Sequence, residues 1–219
     1  MTDLTMPYPR VCAHRGLPAM YPENTPASFA AAINAGAQEI EFDLRPAGDG
    51  RIVVRHDPFV MGRVPKCLPD FEDVLARFAR RVIMNIHVKE AEIVPDVVEA
   101  IDRFGCREYA YIAGSAAVME AALVLAPELE RCCLEGSKDF TIVKHAIRYR
   151  AQKLQARPKY LTQGMIDEAH AHGIRCNLFY TDDPEQARAL FCMGIDTVLT
   201  NNCVRILPVL HEMKEENNV

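Results

Sequence analysis

From Val11 almost to the end of the chain, short apolar runs alternate with helical patterns, and no linker or low-complexity stretch interrupts them. That order of elements belongs to a parallel sheet whose strands are joined by crossover helices. The runs are Val11–His14, Glu39–Leu44, Ile52–His56, Val82–Lys89, Tyr109–Ala113, Glu130–Glu135, Lys153–Ala156, Ile174–Tyr180 and Thr197–Thr200. This is one more than an eight-stranded barrel holds. Asp49-Gly50 accounts for the surplus, because Asp-Gly between strand patterns favours a tight hairpin and the gap before Ile52 is too short for a crossover helix. Ile52–His56 is expected to return antiparallel along the strand just left, with His56 opposite Asp43 and an irregularity at Pro46, which lacks a ladder donor. What remains is an α/β chain forming one TIM (β/α)8 barrel domain over residues 1–219, with a small β-hairpin arm after the second strand. A 49% hydrophobic chain of 219 residues can bury one core of that size.

Helix signals agree with this count. Thr25 with Pro26, and Asp183 with Pro184, read as an N-cap followed by proline in the first turn. Phe71, Val74, Leu75 and Phe78 recur at helical spacing and predict a helix with one apolar stripe.

Charge and composition exclude several function classes. The net charge is -5 and the basic residues are scattered, so no positive face for nucleic acid is expected. Met1 to Arg10 has no apolar core of a signal segment, and no run approaches the roughly 18 apolar residues of a membrane span. A cytoplasmic location is expected. Most of the eight cysteines lie in apolar runs and read as reduced core thiols; adjacent Cys132 and Cys133 point to opposite faces of a strand.

In a barrel of this kind, chemistry gathers at the C-terminal ends of the strands. His14 and Arg15 end the first strand, Glu41 and Asp43 the second, His56 and Asp57 the returning arm, and His87 and Lys89 the next strand. Alternation places Glu41 and Asp43 on one face, opposite Ile40, Phe42 and Leu44, and puts Asn85, His87 and Lys89 together, opposite Ile86 and Val88. Two same-face carboxylates in a barrel interior require a divalent cation or cationic side chains; Arg15 or Lys89 could serve as an internal ion-pair partner. With nothing between them they repel, so removing either is expected to stabilise the metal-free chain slightly. His14 and His56 flanking such a site are suited to acid and base work.

Ala13-His14-Arg15-Gly16, Pro22-Glu23-Asn24-Thr25, Glu41-Phe42-Asp43, Asp49-Gly50 and Val54-Arg55-His56-Asp57 follow one another in an order and spacing that resembles the glycerophosphodiester phosphodiesterase family. Weaker agreement continues through the segment from Leu68 to Leu75, through Asn85 to Lys89, and through Gly194 to Thr200. The resemblance implies His14 and His56 as the general acid/base pair, Arg15 and Lys89 on the phosphate, and Glu41 and Asp43 on Ca²⁺ or Mg²⁺. It places Glu23 and Asn24 in the loop beside the site, holding metal or substrate; their plainer reading is capping of the helix near Pro26. The implied reaction cleaves a small glycerophosphodiester to glycerol phosphate and an alcohol, with lysophospholipid headgroup hydrolysis, or phospho-ligand binding with weak catalysis, as alternatives.

Three departures set this chain apart from the pattern. His87 stands where the family usually has a glutamate, which gives a mixed nitrogen and oxygen donor set and shifts preference toward Mn²⁺ or Zn²⁺. The insertion after the His-Asp pair is reduced to about Pro58–Pro69. The usual Trp-Thr becomes Phe179-Tyr180-Thr181, and a usual late Thr-Asp becomes Thr200-Asn201, leaving Phe179 and Tyr180 as candidates for an aromatic substrate wall or as core aromatics.

Overall fold

The computed structural model describes residues 8–59 and 67–217. Nine strands occur among them: β1 (Arg10–His14), β2 (Glu39–Pro46), β3 (Ile52–Val54), β4 (Ile83–Val88), β5 (Ala110–Gly114), β6 (Glu130–Cys133), β7 (Lys153–Ala156), β8 (Arg175–Leu178) and β9 (Thr197–Thr200). All pair in parallel except β3, and β1 pairs with both β2 and β9, which closes an eight-stranded TIM barrel. The helices that wrap it are α1 (Pro26–Asn34), α2 (Phe71–Phe78), α3 (Val94–Arg103), α4 (Ala116–Leu125), α5 (Ile142–Arg148), α6 (Gln163–Ala171), α7 (Pro184–Cys192) and α8 (Cys203–Asn217). Thr25 and Asp183 cap α1 and α7 as expected, and Phe71, Val74, Leu75 and Phe78 are the buried stripe of α2. None of the described helices is long and apolar enough to cross a membrane.

The arm β3 lies antiparallel on β2, but one residue away from the expected register. Leu44 faces Val54 and Pro46 faces Ile52, so the Asp43 carbonyl accepts from the Arg55 amide rather than meeting His56. The cause is the turn. Gly50 takes φ +88, and the Ala47 amide donates to the Arg51 carbonyl, so three residues rather than two sit inside the pair that closes the turn. Pro46 does not interrupt the pairing, contrary to expectation, and β2 continues through it. Residues 60–66 of the shortened insertion lie outside the described residues.

Strand alternation divides the molecule into two cores. Ile40, Phe42, Leu44, Ile86 and Val88 face outward into the layer shared with the helices. The inward residues are mostly polar. At the N-terminal end of the barrel Glu39, fully buried, accepts from Arg10 at 3.2 Å and from the Tyr111 hydroxyl at 2.7 Å. Lys153, 2% exposed, pairs with Glu130 at 2.9 Å and lies over the Tyr111 ring at 4.4 Å. Burial alone would lower the Lys153 pKa, but Glu39 and Glu130 outweigh it and raise the value. Burial would likewise raise Glu130, and Lys153 reverses this to a net lowering. Because a carboxylate with a depressed folded pKa stabilises above its unfolded value, this contribution fades as pH falls through the carboxylate range.

Lys153→Met is accordingly expected to lower Tm by leaving Glu39 and Glu130 under-compensated. The cost is about 1–3 kcal/mol, below that of a wholly buried pair because Glu130 is 42% exposed. An unchanged melting temperature would mean that this plug contributes nothing to stability.

The thiols follow the expectation of a reduced interior. Cys12, Cys106, Cys132, Cys133, Cys176 and Cys203 are buried and free. Cys132 faces inward beside Tyr111, and Cys133 joins the outer layer. Burial pushes the Cys133 thiol up to about 12, which leaves it unreactive.

Candidate active site

The turn after β1 is the first positioning device. Arg15 adopts φ 55 and Gly16 φ +89, and a Cβ on Gly16 would come within 2.4 Å of the Ser28 hydroxyl on α1. Ser28 in turn accepts from the Leu17 amide at 2.7 Å. Only glycine permits this approach. The result aims the Arg15 amide at Glu41 Oε2, 3.1 Å away, and the Arg15 side chain across Asp43 Oδ2 at 3.2 Å and Glu23 Oε1 at 2.8 Å.

Glu41, Asp43 and His87 present donor atoms that all lie within 4.8 Å of one another. His87 Nδ1 is 3.6 Å from Glu41 Oε1 and 3.3 Å from Asp43 Oδ1. Lys89 Nζ lies 2.6 Å from the same Asp43 oxygen and 2.9 Å from His87 Nδ1. The ion-pair reading of the sequence is therefore present too: Arg15 and Lys89 both neutralise Asp43. Burial would raise the Asp43 pKa, but the His87 hydrogen bond and the Lys89 charge overcome it and hold the carboxyl well below the usual range. For His87, burial pulls the pKa down, while hydrogen bonds to Asp43 and Glu41 reverse this to a net rise.

Asn24 does not cap α1. Thr25 does the capping, and Asn24, at φ 56, donates to Asp43 Oδ2 at 3.0 Å and fixes its orientation. Glu23, 50% exposed at its side chain, pairs with Arg15 and lies outside the three-residue donor group.

The two histidines are held differently. His14 is 5% exposed, stacked on Tyr180 with ring centroids 5.5 Å apart and set edge-on to Phe179 at 5.0 Å. Its Nδ1 lies 2.8 Å from Asn201 Oδ1, and Asn201 Nδ2 donates to Asp182 Oδ2 at 3.3 Å. Because a carboxylate only accepts, Asp182 fixes the amide orientation and so the tautomer: Nδ1 donates, and Nε2, 3.8 Å from Glu41 Oε2, carries the free lone pair. His56 is half-buried, with its side chain 42% exposed, and its Nδ1 donates to Asp57 at 2.8 Å, which lowers the Asp57 pKa. Arg45 steadies this segment, donating to the His56 carbonyl at 2.7 Å and pairing with Glu90 at 2.5 Å.

A cavity of about 250 Å³ opens over these groups. Arg15, Asp43, His56, His87 and Lys89 line one side, and Gln155, Arg157, Leu134, Ser137 and Phe179 the other. Sequence reasoning missed Arg157, Gln155 and Asp182. The first two were open to the parity argument that found Glu41 and Asp43, since Lys153, Gln155 and Arg157 alternate inward along β7 and just past it. Asp182 was hidden by Asp183, whose capping role accounted for the Asp-Asp-Pro turn.

The chain is similar to known proteins in one stretch of sequence and in its fold. Residues 14–74 match the model of the glycerophosphoryl diester phosphodiesterase family. That stretch is similar to the glycerophosphodiester phosphodiesterase family, and the barrel as a whole has the fold of solved proteins of that kind. Over 88% of its length the chain is 27% identical to the uncharacterized protein YqiK of Bacillus subtilis, of which it covers 94%. A glycerophosphodiester phosphodiesterase from Parabacteroides distasonis shares the fold with a TM-score of 0.81 at 20% identity, with 95% of this chain and 100% of that chain covered. A phosphodiesterase from Oleispira antarctica, solved with its product sn-glycerol-3-phosphate, superposes with a TM-score of 0.83 at 20% identity, covering 93% and 97% of the two chains.

Proposed function

We propose that the protein is a phosphoric diester hydrolase that cleaves small glycerophosphodiesters to glycerol phosphate and an alcohol. One arrangement carries the reading: the Glu41, Asp43 and His87 donor group, ringed by Arg15 and Lys89 at the floor of a small cavity with His56 on its rim and His14 behind Glu41. Kinship with the Oleispira antarctica phosphodiesterase supports glycerol phosphate as a product.

The donor set fits a divalent ion. It offers two carboxylates and one imidazole within a single coordination radius, and Asp43 Oδ1 and Arg15 Nε each lack a well-directed hydrogen bond despite their ion pairs. A metal held there would supply Lewis-acid polarisation of a nonbridging phosphate oxygen. Arg15 and Lys89 neutralise the remaining charge as phosphorus becomes five-coordinate. One histidine accepts, at Nε2, the proton of the attacking oxygen, which belongs to water or to the substrate's own neighbouring hydroxyl; the other, protonated, gives its proton to the departing alcohol as the P–O bond breaks. With Nδ1 of each ring engaged by Asn201 or Asp57, Nε2 is the ring nitrogen left for this in each histidine. Phe179 and Tyr180 hold the His14 ring, and Phe179 also walls the cavity.

The size of the cavity favours a small diester over a lysophospholipid, whose acyl chain would have to lie outside it. Turnover of a panel of glycerophosphodiesters with added Ca²⁺, Mg²⁺, Mn²⁺ or Zn²⁺ tests the reading. Metal binding without turnover of any diester would favour a phospho-ligand binding protein instead.

The mixed donor set also makes a selectivity prediction. His87→Glu is expected to move metal preference from Mn²⁺ and Zn²⁺ toward Ca²⁺, because a hard oxygen replaces a nitrogen. Equilibrium dialysis of the metals reads this directly, and an unchanged order of affinities would remove His87 from the donor set.

A further inference from the structure

In the ring of eight parallel strands, β7 stands opposite β2, the strand that carries Glu41 and Asp43. The inward parity of Lys153 and Gln155 continues one residue beyond β7 to Arg157, which lines the cavity on the side facing Asp43, His87 and Lys89. Arg157 differs from the other two cations of that cavity. Arg15 is engaged by Asp43 and Glu23, and Lys89 by Asp43. Arg157 forms no ion pair with any described carboxylate; its guanidinium lies 5.7 Å from the Phe179 ring centroid. The wall it belongs to is tied together, since Phe140 in the loop after β6 packs edge-on against Tyr160 in the loop after β7, with centroids 5.3 Å apart.

A phosphate seated against Arg15 and Lys89 directs one of its two ester arms across the cavity toward β7. That arm meets a guanidinium with its charge uncompensated, on an aromatic backing that limits its rotamers. We propose that Arg157 selects substrates whose alcohol carries a negative charge of its own, a carboxylate or a second phosphate, and disfavours cationic alcohols. This rests on the diesterase reading above and narrows it to anionic-headgroup diesters.

Two measurements on the full chain separate this inference from that reading. The first is calorimetric titration with 3-phosphoglycerate, which carries a phosphate and a carboxylate, and with glycerol 3-phosphate, which carries the phosphate alone. The wild type is expected to bind the former more tightly by about fivefold or more, in keeping with one added charge contact near a surface. Arg157→Gln is expected to equalise the two, and Arg157→Lys to restore part of the difference. The second is kcat/KM for diesters of glycerol phosphate with glycerate, glycerol and choline, expected to fall in that order in the wild type and to converge in Arg157→Gln. Equal weakening of all three diesters in Arg157→Gln would place the guanidinium on the scissile phosphate and overturn the inference, as would equal binding of the two monoesters by the wild type. Hydrolysis without charge preference would leave the diesterase reading standing alone. A monoester preference lost in Arg157→Gln, with no diester turned over, would support the anion site and remove the hydrolase.

Discussion

Replacing either His14 or His56 by alanine is expected to lower turnover by about 10²-fold or more, the usual loss when a positioned proton-transfer group is removed. The two variants should differ in stability. The His56 side chain is 42% exposed and its ring contacts the exposed Asp57, so His56→Ala should stay within about 0.5 kcal/mol of the wild type. His14 is buried between aromatic rings and partners Asn201, so His14→Ala leaves a small void and an unpaired amide oxygen, and about 1–2 kcal/mol is expected to be lost. Steady-state kinetics paired with thermal melts distinguishes chemistry from packing. A His56→Ala protein with wild-type kcat would take that histidine out of the mechanism, and the stability difference between the two variants would be unaffected by that outcome.

Much of this arrangement is legible in the sequence, because period-two alternation fixes which side chains point inward. Glu41 with Asp43, and His87 with Lys89, followed from that rule alone, as did the opposite placement of Cys132 and Cys133. The antiparallel arm was legible from Asp49-Gly50, yet its register was not. A two-residue and a three-residue turn both end on glycine, and which one forms is settled by the Ala47 amide finding the Arg51 carbonyl. Positive φ at Arg15 and Asn24 was also out of reach. Arg15 does not announce it and Asn24 only permits it, and it becomes favourable because Gly16 packs on Ser28 and Asn24 reaches Asp43. The late Thr200-Asn201 read as a departure from the family pattern. Its consequence, a neutral amide rather than a carboxylate on His14 Nδ1, with Asp182 holding that amide from behind, depends on three separate segments meeting.

The expectation that the carboxylates repel one another, so that deleting either would stabilise the metal-free chain, is reversed at Asp43 by its surroundings. Arg15 Nε at 3.2 Å, Lys89 Nζ at 2.6 Å and His87 Nδ1 at 3.3 Å approach this one carboxylate, and Asn24 donates to it at 3.0 Å. Asp43→Asn should therefore leave cations facing one another in a largely buried pocket and lower the stability of the chelator-treated protein by about 2–4 kcal/mol, the scale for breaking a buried pair from one side. Activity should be lost as well, since the variant removes a proposed metal donor and the anchor of the two cations proposed to bind the phosphate. Glu41→Gln should cost less, because Glu41 Oε2 is engaged chiefly by the Arg15 amide and the substituted amide oxygen can still accept from it. The decisive variant is the double one. Asp43→Asn with Lys89→Met removes both charges of the 2.6 Å pair, and if Lys89 is the cation most exposed by the loss of Asp43, the double variant should regain a large part of the stability lost in Asp43→Asn. Denaturant melts of the wild type, the two single variants and the double variant form that cycle. Strict additivity would show that Asp43 and Lys89 do not interact despite their distance, and an Asp43→Asn protein more stable than the wild type would restore repulsion between the carboxylates as the governing effect.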